Sequence, residues 1–234
     1  MKDFISKVTF GFFMAQFLPG AIVVFSVTCL CLWSDVSCQT LSVREFLLKS
    51  GECWFNSTFG TIAFVFIAIS TGMVIHGLNW AVLAWLEHKA NEKNLETIRG
   101  HLGWYKLCFA LQLIIAPLAM MLEIVWLLTA SKITYLMMDE NVSKLPADKM
   151  EQFTFLQDFY LNFGQFYAHM AYAFLVGTVC GAISLFQDFS LRRIGLFIGL
   201  YLLTSIFYLL GQIQLGSLFE AENALCENKK SEEL

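Results

Sequence analysis

Long apolar runs separated by short polar segments organise this chain. Five runs are long enough to cross a bilayer as helices: 8–33, 59–86, 104–130, 163–186 and 194–219. A hydrocarbon core takes about 20 residues of α-helix, and longer runs tilt or kink. The pattern predicts an all-α, polytopic transmembrane helical bundle over 1–219 with about five spans, followed by a polar C-terminal tail over 220–234 that frays. The first run has the weakest claim to cross. Lys2, Asp3, Ser6 and Lys7 make its start amphipathic, and Pro19-Gly20 sits near its middle. It either kinks there or lies along the interface, which leaves four spans.

Between the runs the pieces are modest, and none is large enough for an independent domain. The segments 34–58 and 131–162 are the larger loops, and Leu145-Pro146-Ala147-Asp148 in the second is a turn signal that can start a helix. The stretch 88–101 mixes acidic and basic residues, as a solvated helical hairpin would. Basic residues divide almost evenly between the two sides, but Lys2, Lys7, Lys89, Lys93, Arg99, Lys106, Arg192 and Arg193 lie in short segments close to span ends. There the positive-inside rule counts most. Five spans then place the amino terminus inside and the carboxy terminus outside.

Composition agrees with the pattern. Hydrophobic residues make up 57% of the chain and charged residues 15%, where a soluble domain carries about 25% charged. Mean hydropathy is +0.62. The net charge of −4 gives no electrostatic reason to expect direct nucleic-acid binding. Cys29, Cys31, Cys108 and Cys180 fall inside apolar runs, where a thiol behaves as a small hydrophobe. Cys38 and Cys53 share one polar loop: they form a disulfide if the loop faces an oxidising compartment, or stay two unpaired thiols in a reducing one.

Catalytic signatures are missing from the sequence. It holds no Gly-x-Ser-x-Gly, no His-Glu-x-x-His, no phosphate-binding glycine loop and no Cys-x-x-Cys. Glu87, His88 and His101 cluster at span ends, but their irregular spacing suits a solvated interface better than a metal site. No catalytic, cofactor-binding or metal residues are therefore assigned, and no cofactor is expected. Asn56-Ser57-Thr58 and Asn141-Val142-Ser143 match the glycosylation triplet, which carries little information.

The fourth span carries the most informative pattern. Asp158, Asn162, Gln165 and His169 recur at helical spacing on one face, and Ala173, Gly177 and Gly181 continue it with small residues. Together with Gly195 and Gly199 of the fifth span, these small positions allow backbones to approach closely, either within one subunit or between subunits. By depth, Glu123 of the third span, Gln165 and His169 of the fourth, and Gln212 and Gln214 of the fifth fall at similar levels. They are expected to form an intramembrane polar cluster. Its structural role is to stabilise the bundle. Its functional role is a proton- or ligand-responsive switch, since histidine titrates near physiological pH.

The run Phe10-Gly11-Phe12-Phe13-Met14-Ala15-Gln16-Phe17-Leu18-Pro19-Gly20 resembles the opening of small uncharacterised bacterial multi-span membrane proteins. The stretch from Gly72 to Trp80, with Trp85 to His88, is similar to their second span. Some such proteins are membrane subunits of anti-phage defence systems. The resemblance implies a multi-pass protein of the bacterial inner membrane. The first functional expectation is a non-enzymatic sensor or anchoring subunit, whose partners are the lipid bilayer and either further copies of itself or a partner subunit. The alternative is a small oligomeric channel or transporter with a polar path lined by the fourth span. An intramembrane enzyme using His76, Glu123 and His169 for acid–base chemistry ranks third.

Overall fold

The computed structural model describes residues 13–33, 43–92, 108–129, 147–156, 162–187 and 189–232, and every regular element among them is helical. A π-helical turn, Phe13–Phe17, leads into α1 (Leu18–Trp33). There follow α2 (Val43–Phe55), α3 (Thr58–Glu92), α4 (Phe109–Leu128), α5 (Ala147–Leu156), α6 (Asn162–Gln187) and α7 (Leu191–Glu232). Among the described residues, four helical stretches are long and apolar enough to cross a membrane: Ala15–Trp33, Thr58–Leu83, Asn162–Gln187 and Leu191–Ser217. The chain is thus an all-α, multi-pass integral membrane protein. The third predicted span contains a shorter apolar helix, described as such over Phe109–Val125.

Local chemistry explains the element ends. Ser57 Oγ accepts from the Gly60 amide at 3.0 Å, so the Asn56-Ser57-Thr58 triplet supplies the N-cap of α3. Ser190 Oγ does the same for the Arg193 amide at the start of α7. The loop 34–58 holds a helix, α2, and the helix signalled by Leu145-Pro146 is α5. The polar tail is helical rather than frayed: α7 runs 42 residues, about 63 Å, roughly twice the hydrocarbon thickness.

The chain divides into two compact units, one of residues 1–77 and 169–206, the other of 78–168 and 207–234. In the first unit α1 and α3 run antiparallel. Trp54 Nε1, just before α3, donates to Thr28 Oγ1 at 2.9 Å, Phe64 packs with Val24, and Gly72 meets Gln16. The closest approach is at Gly20, where an added Cβ would overlap the Ala68 carbonyl oxygen; one on Gly72 would overlap the Gln16 carbonyl oxygen. Absence of a side chain at both positions lets the two backbones touch. The helix α2 caps this pair at the Trp33 end, with Trp33 stacked on Phe46 at 4.8 Å between ring centroids.

The helix α6 runs parallel to α1. His169 meets Ala15, and Gly177 lies against Ser26 eight residues later. The helix α7 returns antiparallel to α6, through Arg193 on Ser184, Leu200 on Gly177 and Thr204 on Thr178. Five alternating spans would instead set α6 antiparallel to α1. The chain leaves the first unit after Gly77 and comes back at His169 at the same, Ala15 end, where the His76 and His169 rings are 5.1 Å apart. The first run contains one of the four helical stretches long and apolar enough to cross, Ala15–Trp33. Arg192 and Arg193 lie at the α2 end of the first unit, beside Trp33.

The second unit has its own core. Met120 and Ala116 of α4, Phe153 of α5, and Leu209 and Leu215 of α7 are buried. A Cβ on Gly211 would stand 3.3 Å from the Ala168 amide nitrogen, and one on Gly164 3.6 Å from Leu215, which sets the α6–α7 spacing here. Phe207 packs on the rings of Phe166 and Tyr167.

Candidate functional site

Two features of the first unit are candidates: a polar junction near Ala15 and a cavity near Trp33. At the junction, Pro19 decides the chemistry. Within a helix the Ala15 carbonyl would receive the amide N–H of residue 19, and proline has none. His169 supplies a donor from α6, its Nδ1 standing 2.6 Å from the Ala15 oxygen. A carbonyl only accepts, so Nδ1 carries the proton. His169 is fully buried, and its Nε2 has no hydrogen-bond partner among the described residues. The His76 and His169 rings form a T-shaped pair.

In the second unit, Glu123 accepts a hydrogen bond at 2.8 Å from the Tyr208 hydroxyl, and both residues are buried. Tyr208 was not singled out in the sequence. The available signal was its place one helical turn before Gln212, on the same face of an apolar helix. Gln165 and Gln212 are half-buried, and Gln214 Oε1 is buried without a hydrogen-bond partner among the described residues. Glu123, Gln165, Gln212 and Gln214 thus belong to the second unit, with Tyr208 at Glu123; His169 belongs to the first, with Ala15 and His76.

The small residues separate by neighbour. Ala173 is fully buried. A Cβ on Gly177 would lie 3.2 Å from Ser26 Oγ and 3.3 Å from Leu200, and one on Gly181 3.6 Å from Phe197, all ordinary or slightly tight contacts. On Gly195 and Gly199 it would meet no described atom within 4 Å. Spacing alone did not single out Gly20 and Gly72, the pair with the closest backbone contact. Cys53 is an exposed free thiol donating to the Lys49 carbonyl at 3.3 Å; Cys38 lies outside the described residues, as do Asp158 and His101.

The cavity has a volume of about 860 Å³ and is bounded by α1, α2, α3, α6 and α7. Phe25, Leu30, Phe174 and Leu200 supply apolar wall, while Trp33, Arg192 and Arg193 stand at one end. Arg193 is buried: its Nη1 donates to the Ser184 carbonyl at 2.7 Å and its guanidinium lies 5.6 Å from the centre of the Trp33 ring. Arg192 is exposed. Among the described residues no carboxylate lines it. A mostly apolar hollow with cations and an aromatic ring at one end can hold an amphiphile. Comparison with known protein families, with curated proteins and with solved structures finds no match for the chain.

Proposed function

We propose that the protein is a non-enzymatic sensor or anchoring subunit of a bacterial inner-membrane complex. The observation that carries the reading is how its intramembrane polar groups are used. His169 meets the carbonyl opened by Pro19, Tyr208 meets Glu123, Thr178 meets Thr204 at 3.1 Å, and Arg193 meets the Ser184 carbonyl. Each is engaged in holding one helix to another or to itself, which is the work of a packed bundle. The resemblance of the Phe10–Gly20 opening to small bacterial multi-span proteins supports the setting, anti-phage defence included.

Two measurements test this. Native-level tagging in the host, followed by cross-linking and mass determination of the solubilised complex, is expected to give a defined assembly with another protein. Reconstitution into ion-loaded vesicles is expected to give no flux above empty vesicles. Protein-dependent flux that is lost in His169→Leu would replace the anchoring reading with the channel one.

A further inference from the structure

We propose that His76 and His169 form a binding site for one monovalent copper ion, Cu(I), inside the first unit. The inference goes beyond the sensor-or-anchor reading and does not depend on it. His169 has the arrangement of a metal ligand. Its Nδ1 donates to the Ala15 carbonyl oxygen, which leaves the ring's lone pair on Nε2. Metal-bound histidines are held by the same bond, from the nitrogen that does not touch the metal to a backbone carbonyl or carboxylate. Nε2 is buried without a hydrogen-bond partner among the described residues, on a side chain with no exposed surface. A lone pair so placed forfeits the hydrogen bond that water would supply, and a metal ion gives it a partner.

The second imidazole stands where a shared ion requires it. The His76 and His169 ring centres are 5.1 Å apart. With metal–nitrogen bonds of about 2 Å, two imidazoles on one ion have ring centres about 5–6 Å apart as the angle at the metal opens from tetrahedral to linear. The two ligands come from different helices, α3 and α6, so the ion would tie one span to another. Imidazole suits both zinc and copper, and the number of ligands separates them. Among the described residues no three His, Cys, Asp or Glu side chains gather as a metal site. Zn(II) takes four ligands, whereas closed-shell Cu(I) is stable with two or three. Charge favours the same ion. The cost of placing an ion in hydrocarbon rises with the square of its charge, and neutral imidazoles supply no counter-charge.

Anaerobic titration of the detergent-solubilised full chain with Cu(I), buffered by a chromogenic chelator, tests the site, and X-ray absorption at the copper edge identifies the neighbours. Copper with nitrogen neighbours is expected. His76→Phe removes one ligand and leaves the bond to Ala15 in place. His169→Asn removes the Nε2 lone pair but keeps an N–H near the position of Nδ1, so the Ala15 carbonyl retains its donor. Each variant is expected to weaken Cu(I) binding at least roughly tenfold, the loss that even an outer partner of a metal ligand causes. The two substitutions lie on different helices, so the site stays testable if one of them prevents folding. Zn(II) at equal concentration is expected not to displace the copper. No copper retained against the chelator, or copper seen only with sulfur neighbours and bound equally well by both variants, overturns the proposal. Displacement by Zn(II) overturns it in favour of a divalent site.

Discussion

His169 Nδ1 and the Ala15 carbonyl oxygen meet at 2.6 Å across 154 residues of sequence, and the proline four residues after Ala15 has no amide N–H to offer that oxygen. The arrangement couples a helix break to a buried histidine. A carbonyl stranded in hydrocarbon costs free energy, and a single imidazole N–H from α6 removes that cost while fixing the register of α6 on α1.

The coupling is measurable. His169→Leu is expected to lower unfolding stability by about 1–3 kcal/mol, the cost of stranding a buried acceptor. In a Pro19→Ala background the restored amide at position 19 serves the Ala15 carbonyl, so the same substitution is expected to cost less. A double-mutant cycle by thermal unfolding in detergent reads the difference. Strictly additive effects would mean that the proline and the histidine act independently.

Gly20→Ala and Gly72→Ala are expected to destabilise the protein by about 1–3 kcal/mol or more, because the new methyl group runs into partner backbone that cannot turn aside. Gly195→Ala and Gly199→Ala, with open space around them, are expected to leave stability unchanged or slightly raised. Folding yield and melting temperature of the four variants check this. Equal losses at all four positions would show that an unseen partner covers the Gly195–Gly199 face.

Tyr208→Phe removes the phenolic donor to Glu123 without changing the ring. A cost of about 1–3 kcal/mol is expected for a buried hydrogen bond to a carboxylate. Repeating the substitution in Glu123→Leu should cost much less, since the acceptor is already gone. If the two costs are equal, Tyr208 contributes through packing alone.

Topology has a direct readout. In a background without other cysteines, Cys53 and an introduced Phe189→Cys are expected to react with a membrane-impermeant reagent from the same side, and tags at the two chain ends from the opposite side. The exposed positions of Cys53 and Phe189 make both reachable. With the amino terminus inside, as the short basic segments indicate, both thiols label from outside the cell. Labelling of the two cysteines from opposite sides would support the odd-numbered topology.

Much of the architecture is legible in the chain itself, because the bilayer imposes a length and a polarity that hydropathy records directly. Runs of apolar residues mark α1, α3, α6 and α7 as spans, and Leu145-Pro146 marks the start of α5. The burial of Glu123 and His169 follows from their places inside such runs. Their partners do not. Tyr208 reads as one more apolar aromatic, and a backbone carbonyl such as that of Ala15 has no letter in a sequence.

What the sequence by itself determined, then, is the helical class, the membrane setting and the polar residues that must be buried, since each depends on local composition over one or two dozen residues. The tertiary structure decided the direction of each helix against its neighbours: α6 lies parallel to α1 because His169 meets Ala15 and Gly177 meets Ser26. It also decided which glycines matter. Gly195-x-x-x-Gly199 has the right spacing and meets no described atom, whereas Gly20 and Gly72, on different helices, touch backbone. Spacing along one helix defines a face, but the point where two helices cross depends on the path of the chain between them, and no local pattern carries it.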